Sequence, residues 1–128
     1  MSSHPSTPPA LHELESEVME EMWRRPEATV REVLESLNRG PKERAYTTVM
    51  TIMSRLRDKG LLSRERRGKT DVYRAIISRE AYLQARAQAE VESVVEEFGD
   101  LALSHFARQV GDLDPERLRQ LQELTRDD

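Results

Sequence analysis

The side chains best suited to chemistry lie between Arg44 and Arg74, and the chemistry that they suit is the binding of a polyanion. Within this segment the run YTTVMTIMSRLR is followed by the basic run RERRGK. Guanidinium and hydroxyl groups bond phosphate oxygens and base edges, and a threonine methyl group can contact the methyl group of thymine. The pattern therefore indicates contact with nucleic acid.

The charge distribution singles out the same region. Residues 42–74 carry ten Lys and Arg against four Asp and Glu, whereas residues 79–128 carry six against twelve, in a chain of net charge −4. A basic block between acidic flanks favours a polyanionic partner that contacts one region only. Taken alone, the block is equally compatible with an ordinary solvated surface.

Two elements carry the candidate contacts with DNA. A helix predicted at 46–59 turns a small, polar face outward, because Val49, Ile52, Met53 and Leu56 form a core-facing stripe at helical spacing. A basic hairpin follows it. The candidate contacts are Arg44, Tyr46, Thr47, Thr48, Met50, Thr51 and Arg55 on or just before the helix, and Arg66, Arg67 and Lys69 on the hairpin.

Two earlier helices must hold this reading helix in place. The second begins at a capping box formed by Thr29 and Glu32 and ends at Gly40 and Pro41. The first spans residues 11–25 and turns its acidic residues outward. Those residues are Glu13, Glu15, Glu17, Glu20 and Glu21.

A two-stranded hairpin completes the first domain. Strands are predicted at 61–66 and 72–77, on either side of a turn that contains Gly68. Three helices followed by such a hairpin is the element order of a winged helix-turn-helix, in which the third helix reads DNA.

The C-terminal region is predicted to pair with a second copy of itself. A helix at 79–98, which Ser78 can cap, carries an apolar stripe too thin to fold alone, and two shorter amphipathic helices follow. Folding back onto the first domain is the alternative. The candidate dimerisation residues are Leu83, Val91, Val94, Val95, Phe98, Leu101, Phe106, Leu118 and Leu121.

The predicted fold class is therefore mainly α with a small β-hairpin. A disordered N-terminal tail at 1–10 is followed by a winged-helix DNA-binding domain at 11–78 and a helical dimerisation region at 79–128.

No pattern indicates catalysis, a metal site or a cofactor. The chain has no cysteine, and His4, His12 and His105 lack ligand spacing. It contains no Gly-rich phosphate loop and no G-x-S-x-G motif. No apolar run approaches the roughly 18 residues of a membrane span. We expect a non-enzymatic, cytoplasmic protein with no membrane partner.

Three motifs resemble the penicillinase-repressor (BlaI/MecI) family of winged-helix transcriptional repressors. They are LHELESEVMEEMW in the first helix, YTTVMTIMSRLRDKGLL in the third and GKTDVYRA in the wing. The likeness extends over about residues 11–125. The resemblance implies a homodimer that binds a palindromic operator of double-stranded DNA and represses β-lactamase or other stress and resistance genes. It also implies a reading face of Thr47, Thr48, Met50, Thr51 and Arg55.

The same resemblance implies a mode of release. Repressors of this family are inactivated by a sensor protease that cuts an Asn-Phe bond in the C-terminal region. The matching bond here is His105–Phe106, where His replaces Asn. A sensor protease is therefore an expected partner, and this bond is the expected cleavage site.

Two other functions fit the same residues. A winged-helix domain can serve as an adaptor that docks a protein partner, and a DNA-binding regulator can instead sense a small molecule between its domains. A gel shift separates the adaptor from the repressor, and a thermal shift with candidate ligands exposes the sensor.

Overall fold

The computed structural model describes residues 7–126 and has the predicted fold class, in which helices dominate and one small sheet is present. The chain divides into two compact units, Met1–Ala87 and Gln88–Asp128. Along the described residues the elements are α1 (Glu13–Trp23), β1 (Ala28–Thr29), α2 (Val30–Leu37), α3 (Tyr46–Asp58), β2 (Leu62–Arg67), β3 (Thr70–Ala75), α4 (Arg79–Phe98), α5 (Asp100–Gly111) and α6 (Pro115–Leu124).

The core of the first unit forms around the apolar stripe of α3. Val49, Ile52, Met53 and Leu56 are all buried, which confirms the predicted orientation of this helix. Each such side chain contributes about 1.5–3 kcal/mol when it leaves water. They form one cluster with Val18, Met19, Met22, Val33, Leu62 and Tyr73. Three helices and a sheet thus share one core, as a winged helix-turn-helix requires.

The sheet has three strands, whereas the sequence predicted two. β1 pairs antiparallel with β3, which in turn pairs antiparallel with β2, in the order β1-β3-β2. The prediction missed β1 because its two residues, Ala28 and Thr29, are too few to carry an alternating pattern. The hairpin loop is Gly68–Lys69, and Gly68 has φ +63°, a conformation that favours glycine.

The predicted capping box of α2 is confirmed. The Thr29 hydroxyl accepts a hydrogen bond from the Glu32 backbone N–H at 3.2 Å, and the Glu32 carboxylate accepts one from the Thr29 N–H at 2.9 Å. The helix ends earlier than expected, at Leu37 with Asn38 as its cap, ahead of Gly40 and Pro41. Asn38 ends it because its side chain bonds the backbone of the following turn.

Glu15 is buried, so the prediction that it lies on the outer face of α1 is wrong. Its carboxylate accepts hydrogen bonds from Lys59 Nζ at 2.7 Å and from the His12 backbone N–H at 2.9 Å. Burial raises the pKa of Glu15, but these two donors outweigh burial and hold the pKa below its ordinary value. The ion pair joins the start of α1 to the C-terminal cap of α3.

The last residues of the predicted N-terminal tail contact α4. Residues 1–6, which include His4, and residues 127–128 lie outside the described residues. Pro8, however, is buried, and the carbonyl groups of Pro8 and Pro9 accept hydrogen bonds from Arg86 at 3.2 Å and from Tyr82 at 2.8 Å. Composition cannot reveal donors so distant in sequence. These donors lie in α4, whose first turns belong to the first unit, Met1–Ala87.

The second unit consists of helices that bury almost none of their own side chains. Gly99, with φ +57°, separates α4 from α5, and the Asp114 carboxylate caps α6 by accepting the Arg117 N–H at 2.7 Å. Within the described residues 88–126, Ala102 is the one that is buried. In the part of the chain that the structure describes, no helix has the length and apolarity needed to cross a membrane.

Replacing Glu15 by Gln should lower the free energy of unfolding by about 2 kcal/mol, because a charged hydrogen bond in a buried site is lost. Urea unfolding of the full chain measures this change. Glu20→Gln is the control on the same helix, since it breaks an exposed ion pair with Arg79 and should cost less than about 1 kcal/mol.

The effect of Glu15→Gln should also depend on pH with a defined sign. Because the folded-state pKa of Glu15 lies below its ordinary 4.5, the stability that the carboxylate adds is complete above that ordinary value. It disappears as the pH falls through the lowered pKa. Unfolding curves of the wild type and of Glu15→Gln, recorded from neutral pH down to about pH 3, test this. If the difference in their free energies of unfolding grows as the pH falls, the assigned ion pair is contradicted.

Candidate nucleic-acid interface

Side-chain hydrogen bonds hold the turn between α2 and α3. The Asn38 amide accepts the Arg44 backbone N–H at 2.7 Å and donates to the Arg44 carbonyl at 3.1 Å. The Arg44 guanidinium donates to both carboxylate oxygens of Glu17 at 3.1 Å, and its side chain is 20% exposed. Arg44, predicted as a DNA contact, therefore ties this turn to α1, and a phosphate would compete with Glu17 for it.

The outer face of α3 is open because its opposite face is buried. Tyr46 and Met50 are 42% and 43% exposed, so two large side chains face solvent on this helix. The other predicted contacts on this helix are exposed too, namely Thr47, Thr48, Thr51 and Arg55. In the described part of the chain, no hydrogen bond or ion pair occupies the side chain of Arg55.

One face of the hairpin packs on the core at one end and is exposed toward the hairpin loop. Leu62 and Tyr73 are buried, and side chains two residues apart on a strand share one face. Arg64 and Arg66 therefore lie on the same face as Leu62, and Arg64 pairs across the ladder with Tyr73. Beyond the edge of the core, this face carries charge in place of apolar groups.

A cleft of about 880 Å³ lies between α3 and the hairpin, and most of its charged lining residues are cationic. Five cations contribute to the lining, against two carboxylates. The cations are Arg31, Arg55, Arg64, Arg66 and Lys69, and the carboxylates are Asp58 and Asp71. Tyr46, Met50, Thr51 and Ser54 of α3 also face the cleft. A cleft of this sign raises the local concentration of phosphate groups.

Several cations of the cleft are held in place by neighbours. Interaction of the Arg64 guanidinium with the Tyr73 side chain, its partner across the ladder, raises the pKa of Arg64. Arg66 bonds the Gly68 carbonyl at 3.2 Å and the Asp71 carboxylate at 3.3 Å. These partners fix the direction of both guanidinium groups and leave them exposed on the cleft side.

Arg31 reaches the cleft from the first turn of α2. Its guanidinium carbon lies 5.4 Å from the centre of the Tyr46 ring, a cation–π arrangement. The ring therefore holds a positive charge beside the N-terminal end of α3.

Arg67 lies on the opposite face of the hairpin, away from the cleft. Its guanidinium bonds both oxygens of Glu27, at 2.7 and 3.0 Å, and Glu65 at 2.8 Å. Arg74 donates to the same Glu27 carboxylate at 2.8 Å. These two arginines lower the pKa of Glu27 to about 2. Arg67, predicted as a DNA contact, thus has carboxylate partners already.

The cleft brings together most of the residues predicted to contact DNA, and two further arginines, Arg31 and Arg64, also line it. Tyr46, Met50, Thr51, Arg55, Arg66 and Lys69 line the cleft, while Thr47 and Thr48 are exposed at the start of α3. Sequence reasoning missed Arg31 and Arg64. Strand alternation from Leu62 could have identified Arg64, whereas no local pattern marks Arg31, because its position depends on the packing of α2 beside α3.

The predicted dimerisation residues are largely open to solvent in the single chain. Val91, Val94, Phe98 and Leu101 are 48%, 37%, 53% and 68% exposed. Leu83 and Phe106 are exposed too, and Val95, Leu118 and Leu121 are half-buried. A small hollow of about 310 Å³ lies between α4 and α5 in the second unit. It is lined by Val94, Phe98, Leu101, Ala102, His105 and Phe106.

The described residues contain no group of three or more His, Asp or Glu side chains placed to hold a metal ion. Charged and hydroxyl side chains make up most of the lining residues of the cleft.

Comparison with known proteins finds one family model and close relatives. Residues 11–127 match the model described as Penicillinase repressor. The chain is 36% identical over 112 residues to the transcriptional regulator BlaI of Mycobacterium tuberculosis, in two strains, covering 85% of this chain and 80% of the relative.

Two solved structures share the architecture. The solution structure of the DNA binding domain of the repressor BlaI matches with 27% identity and a TM-score of 0.50, covering 64% of this chain and 94% of that one. The complex structure of hsRosR-S4 matches with 13% identity and a TM-score of 0.50, covering 91% and 88%, a likeness of fold alone.

Arg64→Ala should weaken binding to DNA more than Arg67→Ala does, because Arg64 faces the cleft and Arg67 is held by Glu27 and Glu65. Each lost phosphate contact should reduce the slope of log K against log salt by about 0.9. Fluorescence anisotropy with a labelled duplex at several salt concentrations measures both quantities. A larger loss of slope for Arg67→Ala would contradict this assignment of faces.

Proposed function

The chain belongs to the penicillinase repressor family, and we propose on that premise that it is a DNA-binding transcriptional repressor that acts as a homodimer on a palindromic operator. In this proposal α3 reads the major groove and the hairpin contacts the adjacent backbone. The observation that carries the proposal is the cleft between them, where five cations face two carboxylates. A protein whose net charge is −4 has concentrated positive charge at this one place.

The exposed face of α3 supplies the contacts with bases. Threonine hydroxyl and methyl groups at 47, 48 and 51 suit base edges, Met50 offers an apolar contact, and Arg55 can donate two hydrogen bonds to guanine. The major groove is roughly 12 Å wide and admits one α-helix. Because the threonine side chains are short, the backbone of α3 can approach the bases closely.

The walls of the cleft supply the contacts with phosphate. Arg64, Arg66 and Lys69 approach from the hairpin and Arg31 from α2. In this proposal one strand of the DNA backbone lies between them. Four such cations in each chain make eight in a dimer. If all eight neutralise phosphates, log K should fall with log salt at a slope of about −7.

The second unit supplies the contacts between the two copies. Its apolar side chains on α4 and α5 are exposed in one chain, including Phe98 at 53% and Leu101 at 68%. Packing these faces against a second copy gains about 25 cal/mol for each Å² removed from water. The twofold symmetry of such a dimer matches the symmetry of a palindromic operator.

The genes under control are, in this proposal, β-lactamase or other stress and resistance genes, and a sensor protease ends repression by cutting the His105–Phe106 bond. This bond lies inside α5, so the helix must open locally before a protease can bind it. Cleavage would remove α6 and half of α5 from the dimerisation region. A repressor of chromosomal genes acts in the cytoplasm.

The full-length protein should retard a duplex taken from upstream of its own gene in a gel shift at low salt. Arg55→Ala should cost about 1–3 kcal/mol of binding free energy on that duplex and much less on a random duplex, because a base contact is lost.

Lys42→Ala is the matched control for Arg55→Ala. Lys42 is an exposed basic residue that precedes α3 and lies outside the cleft, so its loss should leave the ratio of specific to random binding unchanged. If the wild type retards no duplex at low salt, the repressor function is wrong and the protein-docking adaptor takes its place.

Phe98→Asp should convert the dimer to a monomer, because a charge would enter an apolar contact between copies. Affinity for a two-half-site duplex should fall on the order of 100-fold as the second half-site is lost. Analytical ultracentrifugation measures the state of association. Gln109→Asp, an exposed substitution on α5, is the control and should remain dimeric. A wild type that is monomeric while bound to its operator would contradict the proposed dimer.

A further inference from the structure

Met50 differs in exposure from the other methionines that the structure describes. It is 43% exposed, whereas Met19, Met22 and Met53 are each 0% exposed. The remaining methionine, Met1, lies outside the described residues. An oxidant in solution must reach a sulfur atom before it can react, so exposure decides which thioether is oxidised. In the described part of the chain, Met50 is therefore the thioether that a dissolved oxidant reaches.

No thiol competes with the methionines for an oxidant. The chain contains no cysteine, and the cysteine thiolate is the other side-chain sulfur group that peroxides oxidise. Oxidation of sulfur in this protein is therefore confined to thioether groups.

Met50 lies on the face of α3 that is proposed to read DNA. It lines the cleft between α3 and the hairpin together with Tyr46 and Ser54. Because these residues are four positions apart, they form one row along the helix. A chemical change at Met50 therefore alters the middle of the row that would face the bases.

Peroxide converts the thioether of methionine into a sulfoxide. A lone pair of the sulfur atom attacks one peroxide oxygen, so that an S–O bond forms and the O–O bond breaks. The second oxygen leaves as water with both hydrogen atoms, so sulfur loses the two electrons that the peroxide gains. Methionine sulfoxide reductases reverse the change with two electrons from a dithiol, and the oxygen again leaves as water.

We propose that Met50 is an oxidation site through which peroxide lowers the affinity of this protein for its operator. The inference rests on the proposed DNA-binding function. Oxidation places a polar S–O group where an apolar side chain would meet a base edge. Closing the DNA over that group removes its water, and burial of a polar group without a matching donor costs free energy.

The contacts with phosphate do not change in this reaction. Arg64, Arg66 and Lys69 carry no sulfur and keep their charges when Met50 is oxidised. Since phosphate contacts supply most of the binding to random DNA, the oxidised protein should lose preference for its operator more than it loses general affinity for DNA.

The test uses the full-length protein, hydrogen peroxide and the duplex that the untreated wild type selects from a random library. A protease digest followed by mass spectrometry gives the oxidised fraction of each methionine at successive times. Fluorescence anisotropy at constant salt gives the dissociation constants for the selected duplex and for a random duplex. Circular dichroism shows whether the oxidised protein remains folded.

Met50 should be oxidised before Met19, Met22 and Met53. Once Met50 is oxidised, the wild type should bind the selected duplex about 10-fold more weakly and the random duplex within about twofold of its original affinity. Treatment with methionine sulfoxide reductases for both sulfoxide epimers, together with a dithiol, should restore the original affinity.

Met50→Leu removes the sulfur atom and keeps an apolar side chain of similar volume. Each variant is compared with its own untreated sample, and peroxide should change the dissociation constant of Met50→Leu by less than about twofold. Met53→Leu is the matched control on the same helix, because it removes a sulfur atom that is buried. It should lose affinity on oxidation as the wild type does.

Three results would overturn the inference while the untreated protein still binds its selected duplex. They are unchanged affinity of a folded wild type that is fully oxidised at Met50, an equal loss of affinity in Met50→Leu, and oxidation of the buried methionines ahead of Met50. Repair of the oxidised wild type by the reductases requires no variant, so it decides the question if Met50→Leu binds DNA poorly. If the untreated wild type binds no duplex, the proposed DNA binding itself fails, and the untreated sample identifies that case.

Discussion

Burial of one face of α3 is the constraint on which the remaining architecture depends. Once Val49, Ile52, Met53 and Leu56 lie in the core, the turn of 100° per residue places the threonines and Arg55 outside. α1, α2 and the sheet then pack around that stripe. The ion pair of Glu15 with Lys59 secures the far end of α3, so the reading helix is held at both its core face and its C-terminus.

The faces of the hairpin are set in a similar way, because side chains on a strand alternate between its two faces. Leu62 and Tyr73 commit one face of the sheet to the core, and that face extends past the core edge to carry Arg64 and Arg66. The other face holds Arg67 against Glu27 and Glu65. Alternation along one strand thus separates Arg64 and Arg66, which face α3, from Arg67, which two carboxylates hold on the other face.

Much of this arrangement could be predicted from local patterns. The stripe of α3, the capping box of α2 and the start of α6 each depend on residues within a few positions of one another, and the structure contains all three. β1, buried Glu15 and the bonds to Pro8 and Pro9 could not be predicted. Each of them depends on a partner that lies more than 40 residues away in the chain.

The sequence by itself determined the order of the helices and the hairpin, the inward face of α3 and the location of the basic region, because periodicity and caps act over short distances. The tertiary structure decided which basic residues share a cleft. Arg31 and Arg64 join it, while Arg44 and Arg67 are paired with carboxylates. The reason is that charge acts through space. Whether a guanidinium group is available to bind DNA depends on whether folding brings a carboxylate beside it. The amino-acid sequence does not show the distance between the two groups.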